Sequence, residues 1–315
     1  MTNKSSEIHP QLQEVARKSP TLNFNRRNLW FMKVMISLMR GPKPPADVRI
    51  KTITIRHPHE QTRIRLRLYQ PAASAGPTPV LLWLHGGGFV IGRPEMDDVS
   101  CTQFAHELGI LVVSVDYRLA PRHPFPAGLH DSYLALTWLA SQAQSLNIDP
   151  ARIAIGGQSA GAGLAAALAQ MAYDRQDVAP SFQLLVYPML DDRTVLRTDL
   201  DGGAYVAWTP QSNRFGWESY LGQPGGGADV PAYAVPARRE DLSGLPPAWI
   251  GVGSLDLFHD ENVAYAQRLQ ACGVACELLV VPGAFHGFDV FDAQLPIVQD
   301  FRQSQIAALR RQLFA

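Results

Sequence analysis

Six short, nearly unbroken apolar stretches recur along the chain: 80–84 (VLLWL), 110–115 (ILVVSV), 152–155 (RIAI), 182–187 (FQLLVY), 248–252 (AWIGV) and 277–281 (ELLVV). A strand with one wet face alternates polar and apolar residues, whereas a strand covered on both faces does not. Runs of this kind therefore predict strands sandwiched between layers. Helical stretches separate them at about 97–108, 131–144, 160–173, 261–272 and 296–313. Such alternation predicts an α/β fold, with a mostly parallel sheet and helices on both faces. With 315 residues and 46% apolar content the chain can bury a large core. The length fits one large domain with insertions as well as two domains.

Three segments stand outside the alternation. Residues 51–55 and 62–69 have period two, with Ile64, Leu66 and Leu68 on one face and Arg63, Arg65 and Arg67 on the other. They predict an antiparallel hairpin at a sheet edge, with the arginine row as its solvated face. Residues 1–45 and about 190–240 read as additions over the carboxyl edge of the sheet, where α/β proteins place ligand sites. In the second, Thr209-Pro210 predicts an N-cap and first helical residue, opening a helix through Tyr220.

Lys+Arg and Asp+Glu both number 28, so the formal net charge is zero. That removes a global electrostatic case for nucleic acid or an anionic membrane as partner. Three cysteines, Cys101, Cys272 and Cys276, make neither a disulfide framework nor a zinc motif. Cys272 and Cys276 read as buried small hydrophobes, and the set fits a reducing cytoplasm. The apolar run from Leu29 to Met39 is interrupted by Lys33. It is shorter than the ~20 residues a bilayer requires. Arg26-Arg27 precede it, but no small-residue cleavage site follows, which argues against export. Trp30, Phe31, Val34 and Leu38 fall at helical spacing and predict a helix docked through them, ended by Pro42, Pro44 and Pro45.

Gly157-Gln158-Ser159-Ala160-Gly161 follows the run 152–155 directly and opens an Ala-rich helical stretch. Strand, G-x-S-x-G and helix in that order form a nucleophile elbow, in which glycines admit a sharp turn and the serine stands exposed at a helix N-terminus. A plain Gly-Ser helix start is the blander alternative. A dinucleotide site is rejected because Gly161-Ala162-Gly163 lacks the third glycine of that fingerprint. His85-Gly86-Gly87-Gly88-Phe89 follows the run 80–84. Its glycines can point backbone N–H groups at one oxyanion, so Gly87, Gly88 and Ala160 are the expected donors. No Gly-Lys-Ser/Thr follows, which disfavours a phosphate loop.

Nine histidines compete for the role of base. His9, His57 and His59 precede the sheet proper, His85 precedes its loop, His106 reads as helical, and His123 and His130 flank a Pro-rich loop. His286, in Gly283-Ala-Phe-His-Gly287 after the last run, is placed at the carboxyl edge by its own strand and is the expected base. The orienting acid should lie between serine and base in chain order. Asp256 sits in a loop after the run 248–252; Asp260 and Glu261 open a helix, where the macrodipole already accounts for carboxylates. Asp256 is the choice, and His259 beside them reads as structural.

With these residues in place, the chain resembles the hormone-sensitive-lipase-like family of α/β-hydrolases, bacterial carboxylesterase branch. The resemblance spans about 45–315. It rests on His85–Phe89, Asp116-Tyr-Arg-Leu-Ala-Pro-Arg-His-Pro-Phe-Pro-Ala127, Gly157–Gly161, Tyr187-Pro-Met-Leu-Asp-Asp192, Asp256–Asp260 and His286-Gly-Phe288. It implies an eight-stranded, mostly parallel sheet under a helical cap. Residues 1–45 and 190–240 would form the cap, and 46–189 with 241–315 the catalytic core. It also implies ester hydrolysis without cofactor or metal by Ser159, Asp256 and His286, on short acyl chains of about acetyl to hexanoyl. One departure is Gln158, where the family commonly carries an acid. Trp30, Phe31, Tyr205, Trp208, Phe215 and Trp217 are candidates to line the substrate pocket, although packing within the cap would equally account for each. The expected partner is a small-molecule ester, with no stable membrane insertion, for a monomer or homodimer. A ligand receptor that has lost hydrolysis is disfavoured by the intact set Ser159, Asp256 and His286. An amidase or peptidase on the same fold is a third reading and predicts anilide hydrolysis.

Overall fold

A computed structural model of the chain describes every residue except 1–6, 20–22, 39–40, 42, 57–61, 73–75, 201–204 and 315. Pro42, His57 and His59 lie outside the described residues. The sheet has eight strands: β1 Val48–Arg56, β2 Arg63–Pro71, β3 Thr78–Leu84, β4 Leu111–Asp116, β5 Ile148–Gln158, β6 Phe182–Val186, β7 Ala248–Gly253 and β8 Cys276–Val281. They lie in the order β1-β2-β4-β3-β5-β6-β7-β8. The first hairpin is antiparallel, and β2 also meets β4 antiparallel. Every pairing from β4 onward is parallel.

The apolar runs divide residue by residue between two cores. Val80, Leu82 and Leu84 of β3 pack with α4 (Ala127–Ser141) and α6 (Ala160–Arg175). Leu81 and Trp83, pointing the other way, pack with α3 (Asp98–Leu108) and α9 (Pro296–Leu313). The period of two places successive side chains on opposite faces, so a strand with helices on both sides is apolar at nearly every position, with Ser114 and Gln183 as buried polar exceptions. Edge strand β8 is the exception: Leu278, Leu279 and Val280 are only half-buried.

Three expectations need correction. Helix α2 (Leu29–Leu38) forms after a short α1 (Gln13–Lys18), but it docks through Leu29 and Ile36, while Trp30, Phe31, Met35 and Leu38 face solvent. The helix is apolar on every side except that of Lys33 and Ser37, so spacing alone does not select the docked face. The arginine row is not a solvated face throughout. Arg65 donates to Glu95 and Asp116, and Arg67 to Asp98, which also accepts from the Tyr69 hydroxyl. Cys272 and Cys276, which close α8 (His259–Ala271) and open β8, are half-buried rather than buried.

The segment 190–240 contains the expected helix, α7 (Pro210–Leu221), whose Ser212 N–H donates to the Thr209 hydroxyl at 3.1 Å. Elsewhere its described residues run in short turns held by side chains. Asp192 is fully buried and accepts from Arg238 Nε at 2.7 Å, Arg238 Nη2 at 2.9 Å and the Gly226 N–H at 2.6 Å. Asp192→Ala leaves Arg238 and that N–H without this partner. Breaking such a buried pair costs about 3 kcal/mol. Thermal unfolding should show Tm lower by roughly 5–10 °C; an unchanged Tm would mean that the loop is held by other contacts.

Candidate active site

The end of β3 and the start of α6 meet almost without clearance. A Cβ on Gly157 would lie 2.4 Å from the Leu84 carbonyl oxygen, and one on Gly161 2.1 Å from the same atom. Glycine at both places lets β5 turn sharply into α6. The turn puts Ser159 at φ 54°, ψ −123°, a sparsely populated conformation for a residue with a side chain. Its backbone is held from two sides: its N–H donates to Val186 O at 2.9 Å, and its carbonyl accepts from Gly163 and Met189.

His286 stands between Phe285 and Gly287 in the loop after β8, and Asp256 in the loop after β7. The structure brings both to Ser159. His286 Nδ1–H donates to Asp256 Oδ2 at 2.8 Å, and Nε2 lies 2.9 Å from Ser159 Oγ. A proton on Nδ1 leaves Nε2 with its lone pair, so Nε2 accepts from the serine hydroxyl. The other Asp256 oxygen accepts the Phe258 N–H at 2.9 Å. Phe258 and Tyr187 meet the imidazole edge-on, at ring-centroid distances of 5.1 and 4.9 Å. Ser159 is 6% exposed and His286 7%.

The competing acids Asp260 and Glu261, and the histidines His85 and His259, are engaged elsewhere. Glu261 is buried, accepts the Leu190 and Asp191 N–H groups and bonds Thr194, so it anchors the start of segment 190–240. Burial pushes its carboxyl well above the usual range. Asp260 pairs with Arg197 and His259. These partners go beyond the helix-dipole role expected for the two acids. His85 is buried and stacked on Tyr117 at 4.3 Å, with Nδ1–H donating to Gly86 O. Burial lowers its pKa, which keeps it neutral.

The loop after β3 turns back through three positive φ values, Gly87 at 117°, Gly88 at 57° and Phe89 at 64°. Among the described residues no acceptor is found for the N–H groups of Gly87 and Gly88. The N–H of Ala160, at the first position of α6, has no intrahelical partner. Trp208 roofs this loop: a Cβ on Gly88 would fall 2.1 Å from its ring. Trp208 is 5% exposed, packs on Phe24 at 5.6 Å and sits 6.4 Å from the His286 ring. Of the other pocket candidates, Trp217 is core, Phe215 packs half-buried against that core, and Trp30 and Phe31 are exposed. Tyr205 lines a cavity of about 650 Å³ that borders Asp256, Leu257 and Phe285 but not Ser159.

A buried polar chain runs under the elbow. Gln158 Nε2 donates to Asp97 Oδ1 at 2.5 Å, and Trp83 Nε1 to Asp97 Oδ2 at 2.7 Å. The Tyr187 hydroxyl lies 3.2 Å from Gln158 Oε1 and 2.8 Å from Asp289 Oδ1. Burial pushes the Asp97 carboxyl up to about 7, against the opposing pull of the Trp83 N–H, and raises Asp289 as well. Two of its members, Gln158 and Tyr187, fall in segments that carry the resemblance; Asp97 and Asp289 fall in no motif.

A family model for the alpha/beta hydrolase fold matches residues 81–290. The carboxylesterase NlhH of Mycobacterium tuberculosis is 36% identical over 284 residues, covering 88% of this chain and 87% of its own length. The ethyl acetate hydrolase of Pseudomonas putida is 36% identical over 233 residues, covering 71% and 70%. Among solved structures, a bacterial heroin esterase superposes with a TM-score of 0.92 at 35% identity, covering 99% of both chains. The chain therefore belongs to the alpha/beta hydrolases, in their bacterial hormone-sensitive-lipase-like branch, and is a serine carboxylesterase.

Proposed function

We propose that Ser159, His286 and Asp256 carry the hydrolysis, with Gly87, Gly88 and Ala160 holding the oxyanion. The observation that supports this most is the continuous hydrogen-bond chain Asp256–His286–Ser159 at 2.8 and 2.9 Å. His286 Nε2 takes the hydroxyl proton as Oγ attacks the ester carbonyl. Asp256 fixes the tautomer and stabilises the imidazolium. Three N–H groups receive the charge on the tetrahedral oxygen; losing one such donor typically costs ~3–4 kcal/mol. His286 then protonates the leaving alcohol, and the acyl group remains on Ser159. Finally His286 activates water, and the acid departs.

The acyl group that fits is short. Trp208 closes the oxyanion loop from above, and the reacting atoms are almost shut off from solvent. Turnover of ethyl acetate by the similar Pseudomonas enzyme is consistent with this. Residues 1–45 and 190–240 act together as a cap. The Phe24 N–H donates to Ser212 Oγ at 3.0 Å, and the Thr209 hydroxyl to Asn23 Oδ1 at 2.6 Å. The substrate is a small-molecule ester, handled by a monomer or homodimer. The sparse free cysteines favour a cytoplasmic setting. Among the described residues no helix is long and apolar enough to cross a membrane.

Initial rates on p-nitrophenyl esters test the assignment. Ser159→Ala should lower kcat for the butyrate by ~10⁴–10⁶ with an unchanged circular-dichroism spectrum; turnover surviving the substitution would sink it. Trp208→Ala should raise kcat/KM for the octanoate relative to the butyrate roughly tenfold, and an unaltered chain-length profile would remove Trp208 from the acyl side. Gln158→Glu sets a second carboxyl against Asp97. At low pH one proton bridges the pair; its loss on raising the pH leaves two like charges in a buried site. The variant's raised carboxyl thus contributes stability at low pH that disappears as pH rises through its folded pKa. Its Tm and kcat should both fall from about pH 7 to 9, where the wild type gains no second charge. Parallel pH profiles of the two proteins would contradict the coupling.

A further inference from the structure

Helix α2 turns an apolar face to water. Trp30 is 74% exposed and Leu38 70%, with Phe31 and Met35 beside them. At 100° per residue these four span a stripe roughly 140° wide. Leu29 and Ile36 lie on the opposite side and tie the helix to the core. A helix apolar on both faces normally has both covered. Contiguous exposed patches of this kind mark interaction sites.

The surrounding charge identifies the cover. From Ser19 to Ala46 the sequence carries Arg26, Arg27, Lys33, Arg40 and Lys43 and no Asp or Glu, within a chain of zero net charge. Arg26 and Arg27 just before the helix, and Lys43 after it, are exposed. A second copy of the chain would be a poor cover. An isologous contact lays the patch on itself, so these cations would face one another. An apolar stripe with Trp and Phe, flanked by cations, matches a lipid surface that is apolar below its headgroups and anionic at them.

We propose that α2 is an interfacial anchor that docks the enzyme reversibly on anionic phospholipid membranes. The helix lies flat, with Trp30, Phe31, Met35 and Leu38 at the headgroup–acyl boundary and Arg26, Arg27 and Lys43 among the lipid phosphates. Ten residues cannot span the bilayer, so the contact is peripheral. None of these side chains belongs to the hydrolytic machinery, so docking and turnover separate.

Co-sedimentation with vesicles tests this. The full-length protein is mixed with vesicles of phosphatidylcholine alone, and of phosphatidylcholine with phosphatidylglycerol. Binding is expected to the second only, and to weaken with added salt. Trp30→Ser/Phe31→Ser should reduce the apparent affinity by at least roughly tenfold, with p-nitrophenyl acetate turnover in vesicle-free buffer unchanged. Arg26→Glu/Arg27→Glu, which leaves the apolar packing intact, should do the same and serves if the serine variant loses turnover. Failure of the wild type to bind anionic vesicles, or retention of binding by both variants, overturns the proposal. So does a dimer in sedimentation velocity that Trp30→Ser/Phe31→Ser dissolves, because a second copy would then cover the stripe.

Discussion

Between the last carbonyl of β3 and the first turn of α6 there is no room for a methyl group. A Cβ on Gly161 would meet the oxygens of both Leu84 and His85, at 2.1 and 2.4 Å. This contact sets two positions at once. It drives β5 into the tight turn that leaves Ser159 at positive φ. It also lays the loop leaving β3 against that turn, since a Cβ on Gly86 would come within 3.5 Å of the Ser159 side chain. The proposed nucleophile and oxyanion donors therefore arrive from strands adjacent in the sheet, β3 and β5, without either loop having to search for the other. Rigid elements hold the reacting atoms to tolerances that independent loops could not. The strain stored at Ser159 is small beside the packing of two cores around it.

Much of this was legible in the sequence for one reason. The core and the elbow are written in local patterns: unbroken runs for doubly covered strands, and glycines where backbones touch. Asp256 and His286 could be chosen because each follows a strand of its own, and chain order did the rest. What failed were judgements about which face meets what. Helix α2 carries apolar residues on two opposite faces, so Leu29 and Ile36 could not be told from Trp30 and Leu38. Arg65 and Arg67 read as a wet strand face because their partners, Glu95, Asp98 and Asp116, lie far away in sequence. Ion pairing between remote segments has no periodicity to betray it.

The buried chain Trp83–Asp97–Gln158–Tyr187–Asp289 belongs to the same class. Its members come from β3, the turn before α3, the elbow, the end of β6 and the loop after His286. Polar groups this deep are costly unless satisfied, and here each of them has a partner. The Tyr187 ring touches His286 while its hydroxyl bonds Gln158 and Asp289. One side chain thus ties Gln158, next to Ser159, to the residues around His286. An amide at 158 suits that place better than an acid would, because it donates to Asp97 and accepts from Tyr187 without adding charge.

Above the site the constraint is of a different kind. Trp208 reaches Gly88 from one segment of the proposed cap, and Phe24 supports it from the other; neither segment alone would hold the indole over the loop. The hydrogen bonds from Phe24 to Ser212 and from Thr209 to Asn23 join the two at the same spot. The N-terminal segment therefore does two things within a few residues. Phe24 helps to fix the roof over the reacting atoms, and α2, beginning at Leu29, turns its Trp30 face outward. The turn between them, Asn25 to Asn28, is largely exposed and closed by hydrogen bonds between Asn25 and Asn28, and the helix itself is tied to the core through Leu29 and Ile36. Phe24 and the Trp30 stripe thus stand only a few residues apart, one facing the proposed catalytic residues through Trp208 and the other facing water.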